Sequence, residues 1–95
     1  MKTVIKFSYD GCQPCKLYAP AFTKVAQEFA HEFSEQYQFV EIDVDEKPDV
    51  ASSYKVRSVP TTIITDESDT VLATKAGVMS EQQLKEFIQG CSNNQ

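Results

Sequence analysis

The residues best able to do chemistry in this chain are Cys12 and Cys15, in the run Cys12-Gln13-Pro14-Cys15. Two cysteines at this spacing can close a small disulfide, hold a metal, or cycle between thiol and disulfide. The neighbourhood decides among these. Thr3-Val4-Ile5-Lys6-Phe7-Ser8, just before the pair, is rich in β-branched and aromatic residues and reads as a strand. A helical pattern follows the pair. A cysteine pair at a strand-to-helix joint is the redox arrangement.

The elements that must position the pair follow from the spacing of apolar residues. From Gln13 to about Gln36 they fall at Tyr18, Phe22, Val25, Phe29 and Phe33, one face of a helix. Pro14 suits its first turn, where the missing N–H costs nothing. Pro20 lies inside the pattern and should kink the helix rather than end it. Residues 38–44 read as a second strand, parallel to the first because a helix connects them. Pro48 opens a short helix through about Tyr54. Residues 61–65 and 71–75 read as a third and a fourth strand, with polar Asp66 to Thr70 as the hairpin between them. Gly77 breaks the fourth strand. Ser80 with Gln83 is a capping-box signal, and the last helix is expected over 81–89, with Gly90 just past its end. The order β-α-β-α-β-β-α defines an α/β fold, a mixed four-stranded sheet flanked by helices. The chain reads as one domain over residues 1–95, with 92–95 as a loose tail.

Composition narrows the function classes. The chain has 95 residues, enough for one modest core. Its formal net charge of −5 argues against a nucleic-acid surface, which needs a basic patch. No apolar run approaches the ~20 residues of a membrane span, and no leader segment is evident. Three cysteines make a poor secreted framework, which usually shows an even number. Zinc needs four ligands, and the available set of Cys12, Cys15, Cys91 and His31 has no second paired motif, so no metal is expected. A reducing compartment with one working pair and one spare thiol fits better. His31 falls on the polar side of its helix and reads as solvated. Cys91 follows Leu84, Phe87 and Ile88 at helical spacing and reads as a buried or half-buried thiol. Asp43, Asp45, Glu46 and Asp49 read as a solvated rim.

The sequence resembles the thioredoxin family. Cys12-Gln13-Pro14-Cys15-Lys16 with Pro20 is similar to that family's active-site helix. Asp45 with Pro48, then Tyr54, Arg57 and Val59-Pro60-Thr61, is similar to its second half. Thr74-Lys75-Ala76-Gly77 and Ser80 with Leu84-Lys85-Glu86-Phe87 resemble the closing strand and helix. The likeness covers nearly the whole chain. The strand and helix with which thioredoxins usually begin are missing, as in compact thioredoxins and glutaredoxin-like proteins of archaea and phages. The strand at 38–44 should therefore be a sheet edge, and an open edge is a pairing hazard. It is expected to be shortened, covered or used in dimer contact.

The resemblance implies a thioredoxin-type protein-disulfide reductase working without a bound cofactor. A Cys12 thiolate, favoured by the helix N-terminus and by Lys16, would attack a substrate disulfide. Cys15, expected to be the more buried, would resolve the mixed disulfide. Electrons would come from an NADPH-linked thioredoxin reductase. A glutaredoxin-like protein reduced by glutathione ranks second, because Ala76-Gly77-Val78-Met79-Ser80 offers one glycine and no acid before Glu81. A redox-incidental scaffold subunit is the rival of another class. The likeness also implies a cis bond at Val59-Pro60, with the Val59 backbone pairing to an extended substrate and Gly77 letting a third loop approach. Disulfide-containing proteins are the expected partners of a cytoplasmic monomer (in the host cytoplasm if viral), with no nucleic acid and no membrane.

Departures from the family pattern are informative. Lys6 stands where thioredoxins usually bury an aspartate, and the partner lysine's place falls on Glu41. Either the two face each other beneath Cys15, with Glu41 carrying the proton, or both reach solvent. Gly11 stands where the family has tryptophan, and Tyr9 is expected to replace part of that contact surface.

Overall fold

The computed structural model describes residues 1–33 and 36–93, with side chains for all but 92 and 93. Seven elements follow the expected order. They are β1 (Lys2–Ser8), α1 (Gln13–Glu32), β2 (Tyr37–Asp43), α2 (Pro48–Ser53), β3 (Thr61–Thr65), β4 (Val71–Ala76) and α3 (Glu81–Asn93). The sheet order is β2-β1-β3-β4. β1 and β2 run parallel, and the β1–β3 and β3–β4 pairs are antiparallel.

The two central strands are buried on both faces, and their alternation separates two apolar clusters. Val4 of β1 and Ile64 of β3 pack with Tyr18, Phe22, Val25 and Phe29 of α1 and with Leu84 and Ile88 of α3. Ile5, Phe7 and Ile63 point the other way, onto Ala51 of α2 and the half-buried Val56 and Tyr54. Phe29 meets Phe33, Tyr37 and Phe39 at ring-centroid distances of 5.1 to 5.9 Å, which fastens α1 over the β2 edge. Burying a side chain of this size stabilises by about 1.5–3 kcal/mol.

Boundaries differ from the expected ones at both long helices. α1 ends at Glu32, short of Gln36: the Phe33 N–H donates to the Phe29 carbonyl, and Phe33 leaves helical geometry. α3 runs through Gly90 to Asn93, so Gly90 is inside the helix and not past its end. Cys91 packs against the α1-side cluster, a contact that outweighs glycine's propensity cost of about 1 kcal/mol. Of the expected tail, 92 and 93 are thus helical, while 94 and 95 lie outside the described residues. The start of α3 is the expected capping box: the Gln83 N–H donates to Ser80 Oγ, and the Ser80 N–H donates to Gln83 Oε1. α1 continues unbroken through Pro20.

β2 is an edge strand among the described residues, but it is not shortened, being as long as β1 at seven residues.

Candidate active site

Cys12 and Cys15 are joined as a disulfide, with Cα atoms 5.2 Å apart. Cys12 is the N-cap of α1 and Pro14 sits in the first turn, as its fixed φ favours. The Cys15 N–H donates to Cys12 Sγ at 3.1 Å. The helix thus begins on a sulfur, which takes the place of the usual capping oxygen. In the reduced protein the same N–H and the helix dipole favour negative charge on Cys12. Lys16 follows on the exposed side of that turn.

The expectation that Cys15 is the more buried cysteine is corrected: both residues are 4% exposed. The reason is the loop before β3. It lies over Cys12, with the Val59 carbonyl oxygen 3.8 Å from Cys12 Sγ. The Val59–Pro60 peptide bond is cis, and Pro60 is fully buried. The Gly77 N–H donates to the Pro60 carbonyl at 2.8 Å, which ties the end of β4 to this loop. Gly77 has φ +98°, and a Cβ built there meets nothing within 4 Å. The backbone conformation is by itself a reason for glycine there.

The two sulfurs face different surroundings. Cys15 lines a cleft of about 360 Å³ that also takes in Lys6, Ser8, Lys16 and Glu41. Lys6 is 3% exposed, and its Nζ lies 2.7 Å from Glu41 Oε2. The parallel register places Lys6 directly opposite Glu41. The arrangement falls between the two expected ones: Lys6 is inside and paired, while the Glu41 side chain is 58% exposed at the sheet edge. Lys6 Nζ also sits 5.1 Å above the centroid of the Phe22 ring. Sequence reasoning missed Ser8, which is 8% exposed and donates from Oγ to Glu41 Oε2 at 3.4 Å. Strand alternation could have found it, because Ser8 shares the face of β1 that carries Val4 and Lys6.

Gly11 and Tyr9 lie against each other in the loop just before the pair. A Cβ at Gly11 would meet the Tyr9 ring at 3.0 Å, so the ring lies over the glycine. His31 is exposed and Cys91 half-buried. Within the acidic run, Asp43 fixes the turn after β2, its Oδ1 accepting from the Asp45 and Glu46 N–H groups. Beneath the site, Tyr18 shares a hydrogen bond with Thr62 at 2.7 Å, and burial pushes its phenol up to about 12.

A disulfide that opens onto a helix N-terminus, with a backbone carbonyl over its first sulfur, can exchange partners with another disulfide. The chain is a thiol–disulfide oxidoreductase. The Thioredoxin family model matches residues 1–90. A thioredoxin of Buchnera aphidicola from Acyrthosiphon pisum is 35% identical over 85 residues, which are 90% of this chain and 74% of that protein. A thioredoxin of Mycoplasmoides gallisepticum is 32% identical, over 92% of this chain and 81% of its own. Among solved structures, chloroplastic thioredoxin z superposes with a TM-score of 0.79 at 25% identity, over 98% of this chain and 80% of that one. The chain belongs to the thioredoxin family, and with its Cys12–Cys15 pair it is a protein-disulfide reductase. The family generally works without a bound cofactor and acts on disulfide substrates together with thioredoxin reductase.

Proposed function

We propose that Cys12 is the attacking and Cys15 the resolving residue of a reductase that opens disulfides in extended protein segments. The observation that carries this reading is the Val59 carbonyl oxygen 3.8 Å from Cys12 Sγ. A substrate segment adding itself along the Val59 backbone, as an extra strand does at a sheet edge, brings its disulfide to Cys12. Pro60 and Gly77 hold that backbone in place, while Tyr9, lying over Gly11, supplies apolar contact. Lys16 and the α1 N-terminus favour the Cys12 thiolate. Lys6 and Glu41 handle charge and proton on the Cys15 side.

An NADPH-linked thioredoxin reductase reopens the Cys12–Cys15 disulfide. The protein works as a monomer in the cytoplasm, where the reducing environment keeps a spare Cys91 as thiol. Among the described residues no helix is long and apolar enough to cross a membrane.

Insulin reduction tests this reading. Turnover is expected with thioredoxin reductase and NADPH and should be much slower with glutathione. Turnover with glutathione alone moves the protein to the glutathione-linked class, and turnover with neither removes the reductase reading.

A further inference from the structure

Among the described residues, no strand pairs with the outer side of β2. The ladder to β1 shows which backbone groups this leaves open. The Lys2 N–H donates to the Gln36 carbonyl, and the Val44 N–H donates to the Ser8 carbonyl. A parallel ladder uses alternate residues, so Gln38, Val40 and Ile42 face β1 between those ends. Phe39, Glu41 and Asp43 turn their N–H and C=O groups outward. The Asp43 carbonyl is taken by the Glu46 and Lys47 N–H groups of the next turn. Phe39 and Glu41 are left presenting two donors and two acceptors along the open edge.

Sheet edges are usually blunted by proline, lysine, a bulge or a short strand. β4, the other edge, carries Lys75 and a register shift against β3. β2 has no proline and no lysine, and its seven residues keep an unbroken register. Its side chains differ on the two faces. Phe39 and Glu41 lie on the α1 face, with Phe39 half-buried against Phe22 and Phe29. Val40 and Ile42 lie half-buried on the α2 face. The edge is also acidic: β2 holds Glu41 and Asp43 and no base, and the turn adds exposed Asp45 and Glu46 against Lys47.

We propose that the β2 edge is a docking site for an extended segment of another protein that alternates basic and apolar residues. The segment joins the four-stranded sheet as a further strand, antiparallel to β2. Hydrogen bonds to the Phe39 and Glu41 backbone hold it, and side chains select it. Residues directly opposite in such a pair share a face. The residue opposite Glu41 is basic, the one opposite Phe39 aromatic, and those opposite Val40 and Ile42 β-branched. A second copy of this chain is the poorer occupant. Self-pairing brings the acids of two β2 strands together with no base on either, and each chain carries a net charge of −5. Substrate access is not blocked, because β1 separates β2 from β3 and the Val59 loop leads into β3.

The probe is the capped peptide Arg-Ile-Lys-Val-Tyr-Thr, which runs from opposite Asp43 to opposite Gln38. Titrated into isotope-labelled protein, it should shift β2 resonances saturably and slow amide exchange at Phe39 and Glu41. Methylating the backbone nitrogens of its lysine and tyrosine removes the donors that face Glu41 and Phe39, and should abolish binding. The acidic peptide Glu-Ile-Glu-Val-Tyr-Thr should bind at least about tenfold more weakly, as should the basic peptide to Val40→Lys. Val40→Lys should keep insulin reduction, because Val40 lies on the face of β2 away from the cysteine cleft. Absence of saturable binding up to millimolar peptide overturns the proposal. So does binding without protection of Phe39 and Glu41, or equal binding by the acidic or the methylated peptide. A parent protein that dimerises in size-exclusion chromatography, and that Val40→Lys returns to monomer, gives the edge to a second copy and overturns it too. Should Val40→Lys not fold, the methylated peptide still decides. Peptide binding is read without turnover, so these failures are distinct from failure of insulin reduction.

Discussion

The Gly77 amide and the Pro60 carbonyl are joined by a 2.8 Å hydrogen bond. That one bond connects the last strand to the loop that covers Cys12, and Gly77 makes it from a backbone conformation, φ +98°, that other residues rarely adopt. Gly77→Ala should therefore cost about 1–2 kcal/mol, the penalty for a Cβ in the left-handed region. At this chain length the melting temperature should fall by about 4–8 °C for each kcal/mol. The same variant should raise the KM for insulin more than it lowers kcat, because the substrate-facing backbone moves while the cysteines do not. A melting temperature within a degree of the parent refutes the conformational argument.

Tyr18 and Thr62 share a buried hydrogen bond, and both residues are fully buried. Tyr18→Phe leaves the Thr62 hydroxyl without that partner and should cost about 1–2 kcal/mol at neutral pH.

The pH dependence of that loss has a definite sign. Burial raises the Tyr18 phenol from 10.0 to about 12, against a smaller opposing pull from the Thr62 hydrogen bond. The folded chain keeps this proton to about pH 12, while the unfolded chain releases it near 10. Stability contributed here is complete below pH 10 and is lost as pH rises toward 12, by about 1.4 kcal/mol per pH unit. Tyr18→Phe lacks this loss. Urea titrations at rising alkaline pH should show the two proteins converging above pH 10 and crossing before pH 12, and a constant gap would count against a buried neutral phenol.

Exchange of Cys15 for serine should stop the cycle after the first attack. The mixed disulfide on Cys12 then has no resolving thiol, and a stable covalent adduct with insulin should accumulate on non-reducing gels. The Cys12→Ser protein should form no such adduct at Cys15. An adduct formed through Cys15 and absent at Cys12 would reverse the assigned roles.

Tyr9 and Gly11 lie against each other in the loop before the pair. Gly11→Ala places a methyl group against the Tyr9 ring, which is 38% exposed and free to swing away. Stability should change by less than about 0.5 kcal/mol, as for most surface substitutions. The KM for insulin should rise in Gly11→Ala and in Tyr9→Ala, and the double variant should rise no further than the larger single effect, the mark of coupled sites. Additive effects would separate the two residues.

Much of the site was legible because its parts are local. The joint before Cys12, Pro14 in the first turn and the Ser80–Gln83 box depend on neighbours within about a turn, and residue type and spacing report on that range. The Lys6–Glu41 pairing was also partly legible. The resemblance to thioredoxins put the two residues where that family has a facing acid and base, and the register of the parallel strands sets Lys6 opposite Glu41. The extension of α3 through Gly90 was legible in part. The helical spacing of Leu84, Phe87, Ile88 and Cys91 runs across Gly90, but Gly90 read as a stop; packing of Cys91 on the core overrules glycine's local cost.

By itself, then, the sequence determined the order of elements and the redox pair at the strand-to-helix joint, and its likeness to thioredoxins singled out positions 6 and 41. Only the tertiary structure decided how the two sulfurs differ. The two residues are equally buried, yet Cys12 looks onto the Val59 carbonyl and Cys15 onto the cleft of Lys6 and Glu41. Each environment is built from chain segments remote in sequence and brought together by sheet register and packing. Burial and solvent access at a sulfur depend on everything packed around it, whichever part of the chain supplies it.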